Sequence, residues 1–264
     1  MNQDFSNDEC EDLAKQMHMA VAELDFAKVT ELLARGVPAD VWDIDDENCD
    51  HPLQAVARRD GEQALSIAKA LIEAGADIDF QGDFGCTALA RSIETNWGSN
   101  RDNWAMARLM IKAGANPSLW DRDRFSPAET ANCDGNNGAV LAMIEAGMDP
   151  NVIGGAGPLL WYCAWDDEEL VQILLANGAD PNVEAETIEG RQTALQRAVE
   201  SFELGGDEPT FRNIAIQLIQ AGADLSQIDQ APECLSDFLL ARQEREVLAE
   251  LPIGRVVERM RVGL

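Results

Sequence analysis

Chemistry needs side chains that titrate, ligate or attack, held close together, and this chain has few of them. It has two histidines, His18 and His51, and six scattered cysteines: Cys10, Cys49, Cys86, Cys133, Cys163 and Cys234. Cysteine and histidine come near each other at Cys49-Asp50-His51. A zinc site there would need further ligands, and none is in sight. A nucleophile would need a base free to take its proton, yet His51 stands at the start of a helical pattern. No C-x-x-C pair occurs, which argues against a zinc cluster. His18, between Met17 and Met19, reads as a hydrogen-bonded core or edge histidine. The acidic run from Asp40 to Asp50 resembles a calcium loop but lacks the glycine at its sixth position and the glutamate at its twelfth. Gly154-Gly155-Ala156-Gly157 could suggest a phosphate loop, but no G-K-[ST] follows, and it reads as a short hairpin turn. Asp and Glu are abundant, but nothing isolates two of them in an apolar pocket as an acid and a base. The reading is therefore no enzyme, no cofactor and no metal.

The charge balance is lopsided, with 48 acidic against 20 basic residues and a net charge of -28. Phosphate backbones and anionic membranes attract lysine and arginine, so neither nucleic acid nor a membrane is the expected partner. The field suits a basic protein surface, or serves solubility alone. The polar, acidic start MNQDFSNDECEDL is unlike a secretory leader. No apolar run approaches the roughly 18 residues that span a bilayer. A chain this apolar does not need disulfide staples, so reduced thiols and a cytoplasmic setting are expected, with a monomer when free.

The elements that would position any site come from a repeat. One phrase recurs six times: LLARGVPAD (32–40), LIEAGADID (71–79), MIKAGANPS (110–118), MIEAGMDPN (143–151), LLANGADPN (174–182) and LIQAGADLS (218–226). Two apolar residues end an amphipathic helix, and Gly36, Gly75, Gly114, Gly147, Gly178 or Gly222 then supplies the left-handed stop. Before one such stop, EELVQILLANG puts Leu170, Val171, Leu174 and Leu175 on one face. After each stop comes a second helix start: His51-Pro52-Leu53, Thr87-Ala88-Leu89, Ser126-Pro127-Ala128, Gly157-Pro158-Leu159 and Thr193-Ala194-Leu195. Thr or Ser can cap such a helix, and Pro suits its first turn. The last repeat departs most, with Pro232-Glu233-Cys234-Leu235 in that place.

Phrase and helix start together resemble the ankyrin-repeat family, over roughly 12 to 245, at intervals scattered about that family's period of roughly 33 residues. The resemblance implies an all-α solenoid of stacked helix-turn-helix units, with β-hairpin loops no longer than two-residue pairings and helical caps. We expect a single domain over 1–264: a capping helix within 1–23, repeats over about 24–235 and a helical cap at 236–264. The family's usual histidine after T-P-L is replaced by Gln54, Ala90, Glu129, Leu160, Gln196 and Ser236. The hydrogen-bond ladder that this histidine often supplies is expected to be missing. Insertions are expected at Arg59–Glu62, Asn96–Asn103 and Leu204–Thr210.

In the family, hairpin tips and inner helices line the binding face. Counting from each glycine puts Trp42, Gln81, Trp120, Ile153, Glu184 and Ile228 at the tips, with Phe80 one step earlier. Exposed aromatics suit binding hot spots. The expected partner-binding set is Trp42, Asp43, Asp45, Asp46, Phe80, Asp83, Trp120, Asp121 and Ile153, with Trp161 and Trp165 on an inner helix. One of those last two tryptophans must face the core. Trp104 is expected to pack at the start of an outer helix. Three roles fit: an interaction module for a basic protein, an immunity or inhibitor protein neutralising a toxin or enzyme, or a secreted effector gripping host proteins.

Overall fold

The computed structural model describes residues 7–42, 50–82, 84–93, 104–155, 157–188, 190–205 and 207–227. Among them are twelve α-helices, and they pair along the chain. The compact unit Met1–Met148 holds α1 (Asn7–Ala22) with α2 (Phe26–Ala34) and α3 (Pro52–Ala57) with α4 (Glu62–Glu73). It also holds α5 (Ala88–Ile93) with α6 (Ala105–Lys112) and α7 (Pro127–Cys133) with α8 (Asn137–Ala146). The unit Asp149–Leu264 holds α9 (Leu159–Cys163) with α10 (Glu168–Ala176) and α11 (Ala194–Glu203) with α12 (Glu208–Gln220). In the first unit α1, α3, α5 and α7 stack in order as an inner layer, and α2, α4, α6 and α8 as an outer one. In the second, α9 packs on α11 and α10 on α12. This is the all-α architecture of stacked helix pairs. The insertion at 96–103 and the C-terminal cap at 236–264 lie outside the described residues.

The recurring phrase ends every outer helix in the same way. Val37, Ala76, Ala115, Met148, Ala179 and Ala223 each donate an N–H to the carbonyl five residues back, at 2.9–3.1 Å. The acceptors belong to Leu32, Leu71, Met110, Met143, Leu174 and Leu218, all fully buried. That 6→1 closure needs a left-handed residue between donor and helix, and the six phrase glycines have φ of +89° to +120°. On α10, Leu170, Val171 and Leu174 are buried, while Leu175 is half-buried at the edge of the same face. Each fully buried Leu stabilises the stack by about 1.5–3 kcal/mol relative to exposure.

The polar half of the phrase links the repeats. Two residues past the glycine, the side chains of Asp77, Asn116, Asp149, Asp180 and Asp224 accept the N–H two positions on, at 2.9–3.1 Å. Four residues past it, Asp40, Asp79, Asn151 and Asn182 reach into the next repeat. They accept the N–H of Asp77, Asn116, Asp180 and Asp224 at 2.7–3.0 Å. A short side chain with an oxygen at both positions serves both bonds, which accounts for the Asp/Asn preference.

Two expectations are corrected. The ladder of the absent histidine is not missing at Gln54. Its Nε2 donates to Cys86 O at 2.7 Å and Phe80 O at 3.2 Å, while its Oε1 accepts the His51 N–H at 2.9 Å. An amide carries both donor and acceptor, so it ties its own helix start to the next repeat. One hairpin also exceeds two-residue pairings: β1 (Glu184–Thr187) pairs antiparallel with β2 (Gly190–Thr193), from Glu184 opposite Thr193 to Thr187 opposite Gly190.

The inner-helix starts are capped as their residue types dictate. Ser126 Oγ accepts the Glu129 N–H and Thr193 Oγ1 the Gln196 N–H, and Glu129 and Gln196 return the bond as capping boxes. Asp50 is buried, 3.3 Å from Arg91 Nη2 and 3.4 Å from Arg58 Nη1, joining the start of α3 to α5.

Candidate binding surfaces

The hairpin edge of the first unit carries exposed aromatics. Trp42 is 59% exposed, Phe84 60% and Trp120 47%. The hairpin Asp121–Phe125 is a tight turn: Asp121 N–H donates to Phe125 O, and Arg124 N–H returns to Asp121 O. Arg124 adopts φ +70°, two residues before Ser126, where the preceding hairpin has Gly85 at φ +74°, two before Thr87. The two hairpins are stitched together. Gln81 Nε2 donates to Trp120 O at 2.7 Å and Arg122 N–H to Phe84 O at 3.1 Å. Each exposed ring there carries an arginine: Arg122 over Phe84 at 5.9 Å and Arg124 over Trp120 at 5.2 Å.

Of the residues expected to bind a partner, Asp43, Asp45, Asp46 and Asp83 lie outside the described residues, as does the tip residue Ile228. Phe80 is half-buried, its ring stacked on His51 with centroids 3.5 Å apart. Asp121 is half-buried, and its Oδ1 accepts the N–H of Asp123 and Phe125, both at 2.9 Å. That carboxylate shapes its own loop. Trp104 is buried at the start of α6, where Gly138 leaves space for its indole.

The two histidines have structural surroundings. His18 Nε2 lies 3.1 Å from Val41 O. Burial lowers the pKa of His51, opposed by the nearby Asp40 carboxylate, whose Oδ1 is 3.8 Å from Nδ1. His51 therefore favours its neutral form in the fold. Burial likewise raises the thiol pKa of Cys163 well above its usual value. Among the described residues, no group of three His, Cys, Asp or Glu is placed to hold a metal ion.

The second unit holds a recess of about 380 Å³, lined by residues that include Trp161, Arg191, Gln192, Arg197 and Glu200. Trp161, from α9, is the tryptophan that turns inward, 8% exposed, while Trp165 is half-buried. Between their rings lies the guanidinium of Arg197 from α11, 4.6 Å from Trp161 and 4.1 Å from Trp165. Its Nη1 donates to Glu200 Oε2 at 3.0 Å. Gln192 closes the network, accepting from Trp161 Nε1 at 3.1 Å and donating to Glu200 Oε2 at 2.9 Å. Gly157 lies against this cluster, for a Cβ there would meet Ala185 Cβ at 3.1 Å. Gly154 N–H donates to Gly157 O at 2.8 Å, and Ile153 bridges Pro158, so the glycine run is a hairpin end. At its base Ile153 is 63% exposed, and Ile188 at the tip of β1–β2 is fully exposed.

The expected site missed Phe84, Arg122, Arg124, Gln192 and Arg197. Taking one tip position per repeat passed over Phe84, which lies three residues past Gln81 in the same hairpin. For Arg197 a signal existed: it lies four residues past Thr193, as Trp161 lies four past Gly157. Equivalent positions of stacked repeats become neighbours.

Comparison with known proteins agrees with this geometry. The family model described as ankyrin repeat matches residues 154–186. Ankyrin repeat and SOCS box protein 16 of Mus musculus is 33% identical over 141 residues, 49% of this chain. The Homo sapiens protein of the same name is 32% identical over 146 residues. The chain spans about a third of the length of these relatives, 30% and 32% respectively. Among solved structures, the ankyrin repeat domain of Bcl-3 superposes with a TM-score of 0.61 at 19% identity, covering 80% of this chain and 88% of that one. An ankyrin repeat domain from Acinetobacter baumannii AYE gives 0.57 at 23% identity, covering 79% and 98%.

Proposed function

We propose that this chain, an ankyrin-repeat protein, is a non-catalytic module that seats a basic protein partner on its hairpin tips and inner helices. Ankyrin repeats generally mediate protein–protein interaction, and the finer reading rests on exposed rings at Trp42 and Trp120 within a strongly acidic chain. Large apolar side chains on exposed tips contribute nothing to the core, while Trp is enriched among residues that dominate binding energy. The excess of carboxylates steers a basic partner to the surface, and burial of the rings then holds it. In this reading the repeats act together as one domain over 1–264, monomeric when free and working in the cytoplasm.

The net charge of -28 also favours a narrower version, an immunity or inhibitor protein that neutralises a basic toxin or enzyme. Fast association is the advantage such a protein needs, and steering supplies it.

The test uses the cross-linked and identified partner. Trp42→Ala and Trp120→Ala are each expected to cost about 2 kcal/mol or more in binding, mainly through faster dissociation. Replacing Asp45 and Asp46 with Asn should slow association at low salt and matter less as salt rises. Unchanged kinetics for a folded Trp42→Ala/Trp120→Ala double variant would overturn the tip assignment. A partner whose activity the full chain abolishes at one-to-one stoichiometry would select the inhibitor version.

A further inference from the structure

We infer that the Trp161–Arg197–Trp165 recess is a carboxylate-binding subsite, taking an acidic group displayed by a polypeptide. It adds an anchor of opposite sign to the proposed protein-binding role. The inference starts from the guanidinium. A free arginine samples many rotamers, but this one is fixed in plane by an indole on each side and by Glu200 on one edge. Glu200 engages Nη1. On the other edge, Nε is a buried donor without a hydrogen-bond partner among the described residues. A buried donor left unmade costs free energy, and a carboxylate spanning Nε and Nη2 satisfies it in the planar two-point geometry that guanidinium offers.

The lining supplies a second guanidinium. Arg191 and Arg197 both line the recess, beside Glu200. Arg191 has a side chain 70% exposed and, among the described residues, forms ion pairs with Glu184 at 3.2 Å and Glu186 at 3.9 Å. Exposed pairs of that kind exchange readily, so Arg191 can swing to an incoming anion. Gln192, bonded to both Trp161 and Glu200, keeps the frame in place before any ligand arrives. A guanidinium fork fixed at one place would set the register of a partner that the overall field only attracts.

The test needs no partner, so its outcome is separable from that of the tip variants. The full-length chain is titrated with acetyl-glutamate amide, acetyl-glutamine amide and acetylglycine while the arginine Nε–Hε resonances are followed by NMR. The Arg197 signal, assigned by its loss in R197K, should move saturably with acetyl-glutamate amide and not with acetyl-glutamine amide. R197K should weaken binding at least about tenfold, because an ammonium keeps the charge but loses the fork. R191Q should weaken it less. Acetylglycine binding tighter than acetyl-glutamate amide would place the ligand at a chain end; the reverse order would place it on an acidic side chain. No saturable shift in the unmodified chain, or an equal response to the glutamine probe, overturns the inference. So does tighter binding of acetyl-arginine amide to R197A, since the recess would then be a cation slot that Arg197 merely fills.

Discussion

Tryptophan and arginine meet in both units of this protein, with opposite consequences. At the hairpin edge of the first unit, Arg124 lies over an exposed Trp120 and Arg122 over an exposed Phe84, each ring covered on one face and otherwise open to water. In the second unit, Arg197 is held between Trp161 and Trp165, and Trp161 is 8% exposed with its N–H bonded to Gln192. The same pairing is a surface feature in one place and part of the core wall in the other. An open ring has apolar area still to bury, so it can supply binding energy. An enclosed one has already released its area to the fold and supplies stiffness instead.

That contrast sets the first prediction. Trp161→Ala should destabilise the protein by about 3–5 kcal/mol, because it removes a buried indole and leaves Arg197 half-supported. Trp120→Ala should change stability by no more than about 0.5 kcal/mol, as an exposed substitution. Urea denaturation of both variants measures the difference. Equal losses would erase the distinction between open and enclosed tryptophans.

A middle-sized effect belongs to the polar bridge between repeats. Gln54→Leu keeps the volume but leaves the carbonyls of Cys86 and Phe80 without that donor, and should cost about 1–3 kcal/mol. Hydrogen exchange at the first unit should rise while the second stays unchanged. A loss below the error of the denaturation curve would show that water replaces the amide there.

The smallest effect sharpens the account of the open edge. Arg124 carries a left-handed backbone that Gly85 adopts without strain in the preceding hairpin. Arg124→Gly relieves about 1–2 kcal/mol of that strain, partly offset by the greater chain entropy of glycine and by loss of the cation over Trp120. The net gain should be about 0.5 kcal/mol, visible as a small rise in Tm. A fall in Tm would mean that the arginine–tryptophan contact outweighs the backbone strain.

Much of the architecture was legible in the order of residues. The helix stops at the six phrase glycines, the serine and threonine helix starts and the buried face of α10 all follow from interactions within about five residues, where chain order and spatial neighbourhood coincide. The short hairpin at Gly154–Gly157 follows for the same reason, whereas the partner of His18, the carbonyl of Val41, comes from 23 residues on. Reading a missing rung from a missing histidine failed because hydrogen-bonding capacity, not residue identity, is what the position requires, and Gln54 has it. The fate of each aromatic was decided only by tertiary structure. Trp120 and Trp161 are the same residue type, each near a turn and near acidic residues in the chain. Their exposure depends on what the next repeat brings against them: Arg197, Gln192 and Ala185 reach the surroundings of Trp161 from some 24 to 36 residues away. Local composition sets where a helix starts and stops, because those bonds close within one or two turns. Whether a ring is sealed or open depends on side chains a full repeat distant, and only the stacking of helix on helix brings them together.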